Sequence, residues 1–131
     1  MALFSVRGRD ASLRLTSLAS LSRQEFETLV AEALDEVPEM FREALAGVAV
    51  VVEDEDPDDP DIYGLYHGVP LTDPEARHGY PPPRISVYMR PLSEDFPDEA
   101  KLIEEIRITV LHEVGHHLGL DERRLDELGF G

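Results

Sequence analysis

His112, Glu113 and His116 stand in the segment HEVGHHLGLDE with the spacing H-E-x-x-H. Residues four apart on an α-helix lie about 40° apart around its axis and one turn along it. Two imidazoles so placed can reach one metal ion from the same helix face. A glutamate beside the first histidine sits next to that face and can contact a water on the ion without being a ligand. Zinc lowers the pKa of such a water toward ~7 and polarises a carbonyl, while a carboxylate takes the proton. The spacing therefore reads as metal-assisted hydrolysis, with His112 and His116 as ligands and Glu113 as general base. Three of the five histidines of the chain lie within 112–117. Gly119 follows His116 by three residues, and Glu122 follows by three more as an oxygen candidate for a third ligand. Asp121 is the neighbouring alternative. Each acid also has an ordinary role at a helix start, Asp121 as N-cap and Glu122 as a first-turn acid. There is no cysteine, so any metal must be held by His, Asp, Glu or water.

The element that must carry this segment is a helix from about Asp98 to Leu118. Ile103, Ile106, Val110, Val114 and Leu118 form its apolar stripe, and Gly119 stops it. Residues 122–128 read as a short closing helix. Upstream, Ser22 and Glu25 form a capping box, with Leu21 and Phe26 as its hydrophobic staple. Phe26, Leu29, Val30, Ala33, Leu34 and Val37 continue as one helical stripe to Pro38. Pro38 opens a second short helix that closes at Gly47. Val48–Val52 reads as a fully buried strand. Residues 53–61 (EDEDPDDPD) read as a solvated acidic loop; they lack the glycine turn and spacing of an EF-hand. Residues 62–83 show no periodicity. Arg84–Arg90 alternates, Ile85, Val87 and Met89 against Ser86 and Tyr88, as a half-buried strand, and Pro91 suits a sheet edge. His67 and His78 fall in loops and read as solvated side chains, and His117, about 100° around from His116, reads as a neighbour of the site or a surface residue.

The chain has 131 residues, the size of one domain, with 42% apolar and 31% charged residues. Its 28 acids and 12 bases give a net charge of −16. So negative a surface repels phosphate backbones and anionic lipid, which argues against nucleic acid and membranes as partners. No apolar run approaches the ~18 residues of a membrane span. Residues 1–21 are rich in Arg and Ser, but Arg7, Arg9 and Arg14 interrupt every apolar stretch, so they do not form a signal peptide. They read as a loosely tethered extension ahead of a domain at 22–131, and the protein as cytoplasmic.

HEVGHHLGLDE resembles H-E-x-x-H-x-x-G-x-x-[H/D], the extended motif of the metzincins and Asp-zincins. From Ser22 onward the chain is similar to the short bacterial zincin-like metallopeptidases called mini-zincins. Gly64, Leu65, Tyr66, Gly68 and Pro70, and the Leu-Asp-Glu-Leu-Gly ending at Leu125–Gly129, carry the resemblance further. It implies an α+β fold: a minimal zincin-like domain, with a small mixed sheet packed on helices and HEVGH on the active-site helix. It also implies zinc on His112 and His116, Glu113 as base, Gly119 turning the chain back, and Arg84–Arg90 as the edge along which a peptide would lie. Two positions depart from the pattern. Glu122 stands where Asp-zincins have Asp, and Met1, Met40 and Met89 all precede the motif, so no methionine turn can lie below the metal. Phe130 is the candidate for an apolar floor in its place.

The expected function is a zinc-dependent metallopeptidase acting on a peptide or protein, with His112, His116 and Glu122 as ligands and Glu113 as the catalytic residue. One alternative is a zincin-fold protein of little or no hydrolytic activity, serving as a metal-binding or interaction module. A metal-dependent RNA hydrolase would need His in place of Glu122 and a basic surface, and has neither. The sequence does not fix the oligomeric state and leaves a homodimer open.

Overall fold

Ser22 caps the first long helix as its side chain predicts. Its hydroxyl accepts from the Glu25 amide at 3.1 Å, and the Glu25 carboxylate accepts from the Ser22 amide at 3.0 Å. These bonds satisfy orphan donors of the first turn and start α1 at Arg23–Asp35. Its Phe26, Leu29, Val30 and Ala33 are buried. The computed structural model describes residues 2–4, 21–70, 72–74 and 82–129. After Pro38 come α2 (Glu39–Arg42) and a 3-10 turn at Glu43–Leu45, and Gly47 reverses the chain at φ +82°.

The sheet has four strands: β1 (Ala2–Phe4), β2 (Ala49–Glu53), β3 (Gly64–His67) and β4 (Arg84–Tyr88), in the order β1-β3-β4-β2. β2 is parallel to β4; β1 is antiparallel to β3, and β3 to β4. Three helices follow: α3 (Met89–Asp95), α4 (Glu99–His117) and α5 (Glu122–Glu127). This mixed sheet with helices is an α+β fold, as expected. α1 and α4 pack on one another and on one face of the sheet, α1 against β2 and α4 against β3 and β4. The main core lies between them, with Tyr66, Ile85 and Val87 facing Leu102, Ile106 and Val110 of α4. Those three α4 side chains are fully buried, which stabilises the fold by roughly 1.5–3 kcal/mol each. Leu102, not Ile103, is the fully buried residue of its turn, so the stripe is rotated slightly from the expected one. Period-2 alternation sends Leu65 and Tyr88 to the other face, where they cluster with Ile62.

Four expectations for the strands need correction. β4 is not an edge: it pairs with β2 and β3, and Ile85, Ser86, Val87 and Tyr88 are all buried. Its alternation suggested a wet face because Ser86 is polar. Ser86 is instead satisfied inside the fold, 3.2 Å from Glu53 Oε1 and 3.2 Å from His67 Nε2. Pro91 lies beyond the strand as the third residue of α3, where a helix needs no donor. β2 is an edge strand, as β1 is on the other side: Ala49 is exposed and Val52 is the only buried residue of β2. The aperiodic stretch from 62 contains β3, which is too short to show alternation. Of the expected N-terminal extension, residues 2–4 pair as β1, and Leu21 packs partly buried against the core.

The acidic loop is pinned rather than free. Arg90 donates to Glu55 at 2.5 Å, to Glu94 at 2.8 Å and to the Pro60 carbonyl at 2.5 Å. Arg23 donates to Asp54 at 2.9 Å and to the Val52 carbonyl. Asp56 is buried and accepts from the Asp59 amide at 3.2 Å. Among the described residues no helix is long and apolar enough to cross a membrane.

Candidate metal centre

α4 begins at Asp98, whose side chain accepts from the Ala100 amide, and runs for 19 residues to His117. Its end is a Schellman motif: the Leu120 amide donates to the Gly115 carbonyl at 2.9 Å and the Gly119 amide to the His116 carbonyl at 3.0 Å. Gly119 takes φ +85°, and a Cβ there would also stand 2.2 Å from Thr72 Oγ1. The glycine thus turns the chain back at the position the motif assigns it.

The turn leads into α5. Asp121 is the N-cap of that helix, accepting from the Arg124 amide at 2.8 Å, so its side chain is engaged in starting α5. Glu122 is the first helical residue, and its carboxylate lies between the two imidazoles. Glu122 Oε2 is 3.2 Å from His112 Nε2, and Oε1 is 3.0 Å from His116 Nε2. The rings of His112 and His116 sit edge to face with centroids 4.8 Å apart. α5 is held there by Leu125, fully buried against Gly115. A Cβ on Gly115 would fall 2.2 Å from Leu125 Cδ2, so the glycine inside H-E-x-G-H is what lets α5 approach.

Glu113 is fully buried, and among the described residues neither carboxylate oxygen has a partner in good hydrogen-bond geometry, the Tyr66 amide being the nearby donor. Gly64 of β3 lies directly on it: a Cβ there would stand 3.4 Å from Glu113 Cγ and 2.7 Å from Thr109 Cγ2. Burial raises the Glu113 carboxyl well above the ordinary carboxylate range, the negative charge of Glu122 adds to this, and the Tyr66 backbone amide opposes it. His116 Nε2 is likewise buried and outside hydrogen-bond geometry despite its short distance to Glu122. Burial and the neighbouring His112 lower its pKa, and Glu122 opposes the shift.

His112, Glu113 and His116 form a cluster whose ligand-capable atoms all lie within 4.8 Å of one another. The structure brings Glu122 to it and commits Asp121 to the helix cap. The donor set of two imidazoles and a carboxylate, with buried polar atoms left unpaired beside it, suits a divalent metal of the zinc type.

His117 points elsewhere. Its Nε2 is 2.9 Å from the Ala44 carbonyl, which can only accept, so Nε2 carries the proton. Nδ1 then accepts from the Tyr66 hydroxyl at 2.6 Å. Burial lowers its pKa, in keeping with a neutral ring that ties α4 to β3 and to the turn before β2. Tyr66, marked in the sequence only as part of the Gly64–Pro70 resemblance, belongs to this centre's framework through its bond to His117. His67 is not in a loop: it ends β3, half-buried, 3.2 Å from Arg84 Nη2 and on the sheet face away from α4. His78 and Phe130 lie outside the described residues.

No curated protein matches the chain. Among solved structures it is similar to a conserved hypothetical protein from Thermo thermophilus, at 28% identity and a TM-score of 0.52. The match covers 75% of this chain and 94% of that one. The family described as zincin-like metallopeptidase matches residues 45–131, which hold β2 to β4, the whole of α4 and the histidine cluster. With β2 to β4, α4 and the paired histidines inside the matched length, the chain belongs to the zincin-like metallopeptidase family.

Proposed function

We propose that the protein is a zinc-dependent peptidase in which His112, His116 and Glu122 hold the metal and Glu113 is the general base. The observation that carries this reading is the convergence of both Nε2 atoms on the Glu122 carboxylate, with the unpartnered Glu113 carboxyl buried alongside. Zinc, when bound, supplies a Lewis acid that activates water and polarises a carbonyl. The chain's own groups do the rest. α4 fixes the two imidazoles by helical spacing and burial, so little side-chain entropy remains to be lost. Glu122, 61% exposed at its side chain, leaves the solvent side of the centre adjustable. Glu113 has a proton affinity raised by burial, the direction a base needs to work near neutral pH.

A second reading is a zincin-fold module of low hydrolytic activity. It is favoured by one feature: the outer edge of β3, beside Glu113, is already paired with residues 2–4. One experiment separates the two. Zinc content is measured by elemental analysis on wild type, His112→Ala, His116→Ala and Glu113→Gln, and casein cleavage is followed in parallel. The peptidase reading expects one zinc per chain in wild type and Glu113→Gln, none in the histidine variants, and a ~10²–10⁴-fold slower cleavage in Glu113→Gln. Zinc retained in both histidine variants overturns the ligand assignment. Bound zinc with no cleavage moves the conclusion to the second reading.

A further inference from the structure

α4 carries a polar stripe inside the fold. Thr109, Glu113 and His117 are each four residues apart, so they follow one another about 40° round the helix, one per turn. All three are buried. β3 lies along this stripe. Gly64 packs on Thr109 and Glu113. Tyr66, next on the same face of the strand, has its main-chain amide near Glu113 and its hydroxyl 2.6 Å from His117 Nδ1. One strand residue thus meets α4 on both sides of His116, three positions before it and one after.

The three polar groups are held differently. Thr109 donates to its own helix, at the Glu105 carbonyl, 2.8 Å away. His117 is instead bonded to two other elements, the Ala44 carbonyl of the 3-10 turn and the Tyr66 hydroxyl. The Tyr66 and His117 rings also pack, with centroids 5.3 Å apart. The apolar anchors of α4 thin out toward its end: Leu102, Ile106 and Val110 are fully buried, but Leu118 is only partly buried. The last turn, which carries His116, therefore relies on His117 against rotation about the helix axis. Tyr66 is itself enclosed. Gly68 takes φ +152°, and a Cβ there would stand 2.9 Å from the Tyr66 hydroxyl. That hydroxyl has one proton and two acceptors, His117 Nδ1 at 2.6 Å and the Val69 carbonyl at 3.2 Å, and the nearer one takes it.

We propose that Tyr66 and His117 are positioning residues of the metal centre: their hydrogen bond fixes the rotation of the last turn of α4, and with it the place of the His116 imidazole relative to His112 and Glu122. The proposal rests on the metal-site reading and adds to it neither a ligand nor a catalytic group. A functional site tolerates displacements of only about 0.5 Å and 10–20°. Loss of the bond is therefore felt in metal affinity at a distortion that the fold survives.

The test uses the full chain with Tyr66→Phe, His117→Phe, the two together, and Tyr63→Phe. The last is the control. Tyr63 is as deeply buried as Tyr66 and loses a 2.5 Å bond, but that bond goes to Asp95 of α3, away from the centre. Zinc affinity is measured by chelator competition, and the ligand geometry by the visible absorption of the cobalt(II)-loaded proteins. Zinc binding should weaken roughly 10–100-fold in Tyr66→Phe and in His117→Phe. The double variant should lie within about twofold of His117→Phe, because both changes act through one bond, and Tyr63→Phe within about twofold of wild type. The cobalt bands should shift in Tyr66→Phe and not in Tyr63→Phe. In the metal-free protein the NMR ring signals of His112 and His116, assigned from their alanine variants, should follow the same pattern. Wild-type zinc affinity in Tyr66→Phe overturns the proposal. So do equal losses in Tyr66→Phe and Tyr63→Phe, since the loss would then follow general destabilisation. If His117→Phe does not fold, Tyr66→Phe decides alone. A wild-type protein that takes no zinc overturns the proposed function instead, and the metal-free ring signals then decide the positioning role: unmoved in Tyr66→Phe, they overturn it.

Discussion

Gly115→Ala tests whether the approach of α5 to α4 builds the centre. Helix propensity alone says the change should stabilise, since Ala is favoured over Gly by about 1 kcal/mol in a helix interior. The structure gives the opposite sign. The new Cβ would lie 2.2 Å from Leu125 Cδ2, 3.3 Å from its Cγ and 3.6 Å from Cδ1. Ordinary carbon contacts begin near 3.4 Å, so Leu125 must retreat by about 1 Å. Exchanging its two methyls by rotation does not help, because Cγ itself is tight. Leu125 is fully buried and is the one buried residue of α5, so the whole helix moves with it. Overpacking of this kind costs about 1–3 kcal/mol, which cancels or exceeds the propensity gain. The larger effect falls on Glu122, three residues before Leu125 on the same helix, whose oxygens now stand 3.0 and 3.2 Å from the imidazoles. Zinc affinity should fall by roughly 10–100-fold, the usual penalty for disturbing the support of a ligand. Chelator competition measures the affinity and urea unfolding the stability. Adding Leu125→Ala to Gly115→Ala should relieve the clash, so the two costs should be less than additive. A Gly115→Ala protein that is more stable than wild type and binds zinc equally well would refute this account of α5.

The remaining expectations address the other supports of the centre. Glu122→Ala should weaken zinc binding more than Asp121→Ala does, because Asp121 is occupied as the α5 cap; competition titration decides, and the reverse order would show that the wrong carboxylate is assigned. Asp121→Ala should instead cost about 1 kcal/mol of stability, the usual worth of an N-cap, read by urea unfolding. Tyr66→Phe leaves His117 Nδ1 without its 2.6 Å donor in a buried place, which should cost about 1–3 kcal/mol in urea unfolding; no loss would mean the bond has little structural weight. Stripping the metal with a chelator should lower Tm, since a ligand present at about 100 times its Kd contributes roughly 2.7 kcal/mol, and an unchanged Tm would show that the folded state holds no metal.

What could be read from the sequence was local. The Ser22–Glu25 box, the H-E-x-x-H face and the Gly119 stop each depend on residues within one or two turns of helix and are found where the pattern puts them; the α4 stripe is found too, with Leu102 buried in place of Ile103. The strands depend on partners far away. Gly64–His67 is four residues long and begins with glycine, so no periodicity could announce it; its place comes from pairing with β4 some twenty residues on. Ser86 made β4 look half-wet, because nothing nearby in sequence shows that Glu53 and His67 will satisfy its hydroxyl. Val48–Val52 looked fully buried because it is wholly apolar, yet the strand lies at a sheet edge, packed on α1 and paired with β4 on one side. The edge-strand role assigned to Arg84–Arg90 failed for the same reason: which strand is outermost is a fact of topology, and side-chain pattern carries no topology.

The centre depends as much on missing side chains as on those present. Three glycines each remove an obstacle of a different kind. Gly64 lets β3 lie on α4 at Thr109 and Glu113, which helps bury the Glu113 carboxyl, and burial raises its proton affinity. Gly115 lets Leu125 seat α5 against the same helix one turn later. Gly119 takes the positive φ that reverses the chain and fits against Thr72, where any Cβ would collide. The first approach buries Glu113; the second and third together carry Glu122 across to the two imidazoles. His112, Glu113 and His116 stand together on one helix, but a helix alone can bring neither the Glu122 carboxylate nor the burial of Glu113. Those two properties come from β3 and α5, and both elements reach the motif only through positions where a methyl group would not fit.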